Sequence, residues 1–280
     1  MIFFSLVYNE LIKIYSKWRT YLGFLALGVL MPLVLWGIST GAGHVYHSVT
    51  QQLSQHFILV GSLFNGLLAT YIVMNFLWVH IPFLITLVAG DVVAGEGAAG
   101  TYRIYLTRPI SRVKILWAKL MATYIYTASL IVFFALMSLG LGSLWLGMGD
   151  LVVANNGILI LSGSVAWARF GLSFLFATGL MCVVASLCFM FSSMVNNGIG
   201  PIIGAMSVII IGLGIATIPI DTFKEISPYL FTHYFDLWRK AFDDPIPWGD
   251  IWHSTKILGA YTIAFVAVSF AIFTRKDILT

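Results

Sequence analysis

Few side chains in this 280-residue sequence are placed to do chemistry, and most that could do it stand alone. His44, His47 and His56 lie close enough along the chain to ligate a metal ion, since imidazole nitrogens suit zinc or copper. Histidines in a loop are also commonly just solvated. Ser173, in Gly-Leu-Ser-Phe, and His253 offer a nucleophile and a base for an intramembrane hydrolase, with no second feature to support them. Cys182 and Cys188 are six positions apart in an apolar run and point in different directions on a helix, so neither a disulfide nor a metal pair is expected. His80, near Pro82, reads as a hydrogen-bonded packing residue rather than a proton relay. The dipeptide Gly-Lys does not occur, which removes a Walker A phosphate loop, and no Gly-x-Gly-x-x-Gly follows a strand. Catalysis and nucleotide binding by this chain are therefore not expected.

What remains is one concentration of charge. Between Gly90 and Lys119 stand Asp91, Glu96, Arg103, Arg108, Arg112, Lys114 and Lys119. No Asp, Glu, Lys or Arg occurs between Thr20 and Gly90, or between Leu120 and Gly149. Thr101 could cap a short helix with Tyr102, Tyr105 and Leu106 on one face and Arg103 on another. Pro109 would end that helix, and Ser111 could cap the next one. Glu96 sits among Gly95, Gly97 and Gly100, in backbone able to bend sharply. A small bracket of this kind suits the docking of a soluble partner. A charged loop that merely satisfies topology is the alternative.

The surroundings of that bracket are set by composition. Hydrophobic residues make up 60% of the chain and charged residues 9%, against an average near 25% charged in soluble domains. That balance requires lipid as the solvent. Six segments are long enough to cross: about 21–39, 57–89, 113–148, 170–194, 199–220 and 255–274. The second and third exceed the roughly 20 residues one crossing needs, and are expected to project beyond the membrane on the side of the charged stretch. With six spans, ten Lys and Arg fall on the side of the termini and the 90–119 loop, and five on the other. The basic side is expected to be cytoplasmic, with both termini there. Residues 1–19 read as an amphipathic helix in the interface, and no cleavable signal is expected. Residues 221–253 form an aromatic-rich outer segment. The basic residues follow the membrane pattern, so nucleic acid is not an expected partner, whereas lipid is.

The interior offers almost no relay for an ion-driven pump: residues 170–220 contain no Asp, Glu, Lys, Arg or His. Energy for transport would have to come from another chain, unless the protein is a passive channel or a membrane scaffold. Here the stretch Gly-Glu-Gly-Ala-Ala-Gly-Thr-Tyr-Arg-Ile-Tyr-Leu-Thr-Arg-Pro-Ile-Ser-Arg resembles the signature of ABC-2 type permeases, the membrane subunits of a class of ATP-binding cassette transporters. The matching positions are Glu96, Gly100, Thr101, Arg108, Pro109, Ser111, Arg112 and Lys119; Tyr102-Arg103-Ile104 departs from the acidic or leucine-rich residues common there. The resemblance implies an all-α fold of six transmembrane helices, an N-terminal interfacial helix and a cytoplasmic coupling helix between spans two and three. It implies two ATPase subunits below the membrane that carry ATP and Mg, no cofactor on this chain, and a second permease protomer, identical or different. Export is the usual direction. Glu96, Gly100, Thr101, Tyr102, Arg103, Tyr105, Arg108, Pro109 and Arg112 would then form the ATPase contact. Gly200 and Gly204, a small-residue pair on the fifth span, would sit near the protomer contact.

Overall fold

The computed structural model describes residues 2–53, 64–100, 110–154 and 158–275. The helices are α1 (Ile2–Ser16), α2 (Trp18–Leu53), α3 (Gly66–Leu77), α4 (Ile81–Ala89), α5 (Asp91–Ala98), α6 (Arg112–Leu146), α7 (Gly163–Met194), α8 (Ile199–Thr217), α9 (Asp221–Ile226) and α10 (Trp248–Arg275). Among the described residues six helical segments are long and apolar enough to cross a membrane: Trp18–Thr40, Ile81–Ala98, Arg112–Leu146, Gly163–Met194, Ile199–Thr217 and Trp248–Arg275. This is the pattern of a multi-pass membrane protein.

Two departures from the sequence expectation have physical causes. The long second segment is not one helix: it breaks between Leu77 and Ile81. Pro82 cannot donate a backbone hydrogen bond, and its ring crowds the carbonyl four residues back, that of Trp78. The indole of Trp78 is used elsewhere, donating to the Phe235 carbonyl at 2.9 Å. His80, at the break, is exposed, with its ring 5.8 Å from that of Phe76, not the packed residue anticipated. The third segment carries no proline and does run unbroken from Arg112 to Leu146, capped by the Ser111 hydroxyl, which accepts from the Lys114 amide.

The all-α expectation also needs amending. Strands β1 (Leu151–Ala154) and β2 (Ile158–Leu161) pair antiparallel, with Leu151 opposite Leu161 and Val153 opposite Leu159. This hairpin joins α6 to α7 at the end of the bundle where α3 begins. There Asn65 caps α3, accepting from the amides of Leu67 and Leu68, and donates to the Asp150 carbonyl. Glycines let α3 and α6 cross at backbone contact: a methyl group on Gly66 would lie 2.4 Å from the Gly142 carbonyl carbon. Thr70 spans the crossing, donating to the carbonyls of Gly66 and Ser138.

α7 is the axis of the packing, lying against α4, α6, α8 and α10. The aromatic-rich segment is drawn into the bundle as a 3-10 helix, Phe231–Phe242, whose Phe231, Phe235, Trp238 and Phe242 are buried. Arg169 of α7 holds the end of that segment through the carbonyls of Ala241 and Asp243 and the carboxylate of Asp244.

Candidate functional site

The charged stretch is reached at the opposite end of the bundle, where α1, α5 and the start of α6 meet. α1 presents two faces. Val7, Glu10 and Ile14 are buried against the bundle, while Phe4, Tyr8 and Ile12 are exposed. Ile14 of the first set joins an apolar cluster with Val92, Leu116 and Leu120. The second, spaced every four residues, is an apolar stripe suited to the lipid interface.

Four charged side chains close a ring at this junction. The Lys119 ammonium, from α6, lies 2.7 Å from a Glu10 oxygen and 2.7 Å from a Glu96 oxygen. The Lys13 ammonium lies 2.7 Å from the other Glu10 oxygen and 2.8 Å from the other Glu96 oxygen. Each carboxylate thus bridges both cations, and each cation both carboxylates. Lys119 also donates to the Val92 carbonyl at 3.2 Å. Its side chain is 1% exposed, that of Glu10 6% and that of Glu96 12%, while that of Lys13 is 34% exposed, so the ring is buried on three sides and reaches water at Lys13. Charges in such a place persist only when paired and hydrogen-bonded, and here the formal charges sum to zero. Burial works against the Lys13 charge, but its hydrogen bonds to Glu10 and Glu96 hold its ammonium above the usual lysine value.

The eight-residue α5 is gripped at further points. Asp91 at its first turn, where the helix dipole favours an anion, accepts from Lys17 at 2.8 Å and Arg19 at 3.3 Å. The Ser192 hydroxyl of α7 donates to the Gly90 carbonyl at 2.6 Å and accepts from the amides of Val93 and Ala94. It stitches the junction of α4 and α5, where backbone groups would otherwise be orphaned. Two residues past the end of α5 stands Gly100, exposed with φ +66°, a left-handed conformation that suits glycine.

The residues singled out from the sequence therefore divide into groups. Glu96 does not face outward to meet a partner. It points into the ring, where two lysines compensate its charge. Gly100 and Arg112 stand at the two ends of the bracket; the Arg112 guanidinium donates to the Thr274 carbonyl at 3.3 Å and ties α6 to the end of α10. Thr101, Tyr102, Arg103, Tyr105, Arg108 and Pro109 lie outside the described residues. Gly200 is exposed, whereas Gly204 is half-buried with its Cα facing the Phe191 ring, so Gly204 serves packing within the chain. His56 and the side chains of His44 and His47 lie outside the described residues. Ser173 is buried inside α7.

Glu10, Lys13 and Ser192 are the residues the sequence reasoning missed. One signal was available: Glu10 is the sole acidic residue before Asp91, and it stands three residues from Lys13 on a helix. An acid kept alone in an interfacial helix calls for a distant cation. Lys17, Arg19, Asp91, Arg112 and the end of α10 gather around the same end of the bundle. The α7–α8 turn joins them, since a methyl group on Gly198 would lie 2.7 Å from an Asp91 oxygen.

Residues 45–279 match the profile of a family described as "Protein of unknown function (DUF2705)". The chain is also similar to the "Uncharacterized protein YhcI" of Bacillus subtilis (strain 168), at 25% identity over 197 residues. That alignment covers 69% of this chain and 63% of the relative, so the chain spans less than two thirds of that relative's length.

Proposed function

We propose that this chain, which belongs to the DUF2705 family, is the membrane subunit of an ATP-driven transporter of the ABC-2 type, working in export. In this reading the chain sits in the cell membrane with both termini in the cytoplasm, pairs with a second protomer, and takes its energy from two ATPase subunits. ATP and Mg belong to those subunits. The segment 101–109 is the coupling helix that meets them, with Tyr102, Arg103, Tyr105 and Arg108 at the contact.

The observation that carries this reading is the buried ring. The segment 101–109 connects α5 to α6 along the chain, and the Glu96–Lys119 pair bolts those two helices together. Glu10 and Lys13 add α1 to the same block. A push on the segment is then delivered to α1, α5 and α6 as one body. A loop that only satisfied topology would gain nothing from Glu10, Glu96 and Lys119 buried beside a partly exposed Lys13, since desolvation costs several kcal/mol per buried ion before pairing offsets it. Glu96 thus acts from behind the contact, as the anchor of the joint.

The test is partner recovery followed by uncoupling. Pulled from its native membrane in mild detergent, the chain is expected to bring a Walker-containing subunit in about equal amount. Tyr105→Ala is expected to weaken that association by about 1–3 kcal/mol, as for an interface anchor. Glu96→Gln is expected to preserve association while ATP hydrolysis in vesicles no longer drives transport. Recovery of the chain without any ATPase under several detergents would favour a passive channel or scaffold and refute the proposal.

A further inference from the structure

At the end of the bundle away from the ring, α7 and α10 part to leave an open groove of about 430 Å³, within the roughly 300–1,000 Å³ of small-molecule sites. Its walls are apolar: Leu175, Gly179 and Val183 from α7, and Trp252, Leu258 and Gly259 from α10. Gly179 and Gly259 leave it open, since a methyl group on either would meet nothing within 4 Å. Thr255 and Thr262 also line it, but their hydroxyls donate to the Ile251 and Leu258 carbonyls of their own helix. The groove therefore asks for no hydrogen bond and favours a hydrocarbon occupant.

Depth and charge narrow the occupant. The run 257–274 of α10 has no charged residue. At about 1.5 Å per residue it measures about 27 Å, close to the roughly 30 Å hydrocarbon core. Lys256 thus stands at the edge of that core, with Arg275 at the other edge. The Lys256 side chain is exposed and lies one helical turn from both Trp252 and Gly259, which line the groove. Among the described residues no carboxylate is paired with it. Trp248 and Trp252, two turns and one turn before it on the helix, are both more than half exposed, as aromatic rings are at headgroup depth.

We propose that this groove is a phospholipid site. One acyl chain lies over Gly179 and Gly259, and the anionic headgroup is held by Lys256, whose stem runs along the hydrocarbon while its ammonium reaches the interface. The site needs only the membrane setting. It requires neither the ATPase partner nor a direction of transport, so its failure and that of the transporter reading are separate.

The purified chain, mixed with equal amounts of phosphatidylglycerol and phosphatidylcholine, is examined by native mass spectrometry. The wild type is expected to retain one phosphatidylglycerol in preference to phosphatidylcholine. Lys256→Gln is expected to reduce that preference about fivefold, the effect of one lysine at a lipid surface. Gly259→Leu and Gly179→Leu each start from a Cβ in open space and put a bulky side chain on the groove lining, and each is expected to abolish retention of both lipids. Arg239→Gln, outside the groove and paired with Asp236, is expected to change neither. Equal retention of the two lipids by the wild type, or an unchanged preference in Lys256→Gln, overturns the headgroup contact. Undiminished retention in both glycine variants overturns the groove.

Discussion

Replacing Lys119 by Met isolates the charge of the ring from its packing. Met is close to Lys in volume and in helix propensity, so α6 and its surroundings keep their shape. The variant removes one of two cations and leaves a formal charge of −1 among Glu10, Glu96 and Lys13. Stranding a buried charge by removing its partner typically costs about 3–5 kcal/mol. The lower end applies here, because Lys13 still bridges both carboxylates and its own side chain is 34% exposed. The expected cost is therefore about 3 kcal/mol, more than a hundredfold in the docked population of α1. Adding Glu10→Gln to Lys119→Met restores neutrality, with an expected recovery of about 2 kcal/mol as the coupling of two residues in one network. The assay is an unfolding titration with SDS in mixed micelles, with tryptic cleavage at Lys17 and Arg19 reporting release of α1. A cost below about 1 kcal/mol with α1 still protected would mean that apolar contacts alone dock this helix, and the argument from the ring would fall.

Ser192→Ala leaves the Gly90 carbonyl and the amides of Val93 and Ala94 without their shared partner, at an expected cost of about 1–3 kcal/mol in the same titration. Gly66→Ala forces α3 and α6 apart and is expected to prevent stable folding, whereas Gly140→Ala, with nothing within 4 Å of the new methyl group, is expected to be neutral or stabilising by up to about 1 kcal/mol; yields of monodisperse protein distinguish them. In a background lacking Cys182 and Cys188, a cysteine at Asp243 is expected to react with an impermeant thiol reagent in intact cells, and one at Ser111 only after permeabilisation; the reverse pattern inverts the orientation. Lys13 titrates above its ordinary value of 10.5, so its contribution to docking is complete below that pH and is lost as pH rises through the raised value. Protection of Arg19 from trypsin is thus expected to hold from pH 7 to about pH 10.

The spans were legible because one-dimensional hydropathy suffices to find a helix that must lie in lipid. It does not suffice to say whether the helix is continuous. The runs 57–89 and 113–148 look alike by composition, yet Pro82 divides the first and nothing divides the second. The hairpin was also visible in outline: Leu151-Val152-Val153 and Ile158-Leu159-Ile160 flank Asn155-Asn156-Gly157, a turn-forming stretch between strand-forming residues. The long apolar runs on either side drew the reading toward helices. The ring was half legible. Glu96 and Lys119 stood in one charged stretch, but their partners lay near the start of the chain, and no local spacing links Glu10 to Lys119 across 109 positions. Sequence shows that a charge is scarce; only packing shows where it is answered.

That separation of 109 positions also orders events during synthesis. Glu10 and Lys13 leave the ribosome long before Lys119 does, by roughly 5–20 s at ordinary elongation rates of about 5–20 residues per second. Through that interval Glu10 has Lys13 beside it but lacks its second cation. The ring can close only once the start of α6 has been made, so the docking of α1 is completed late relative to its own synthesis.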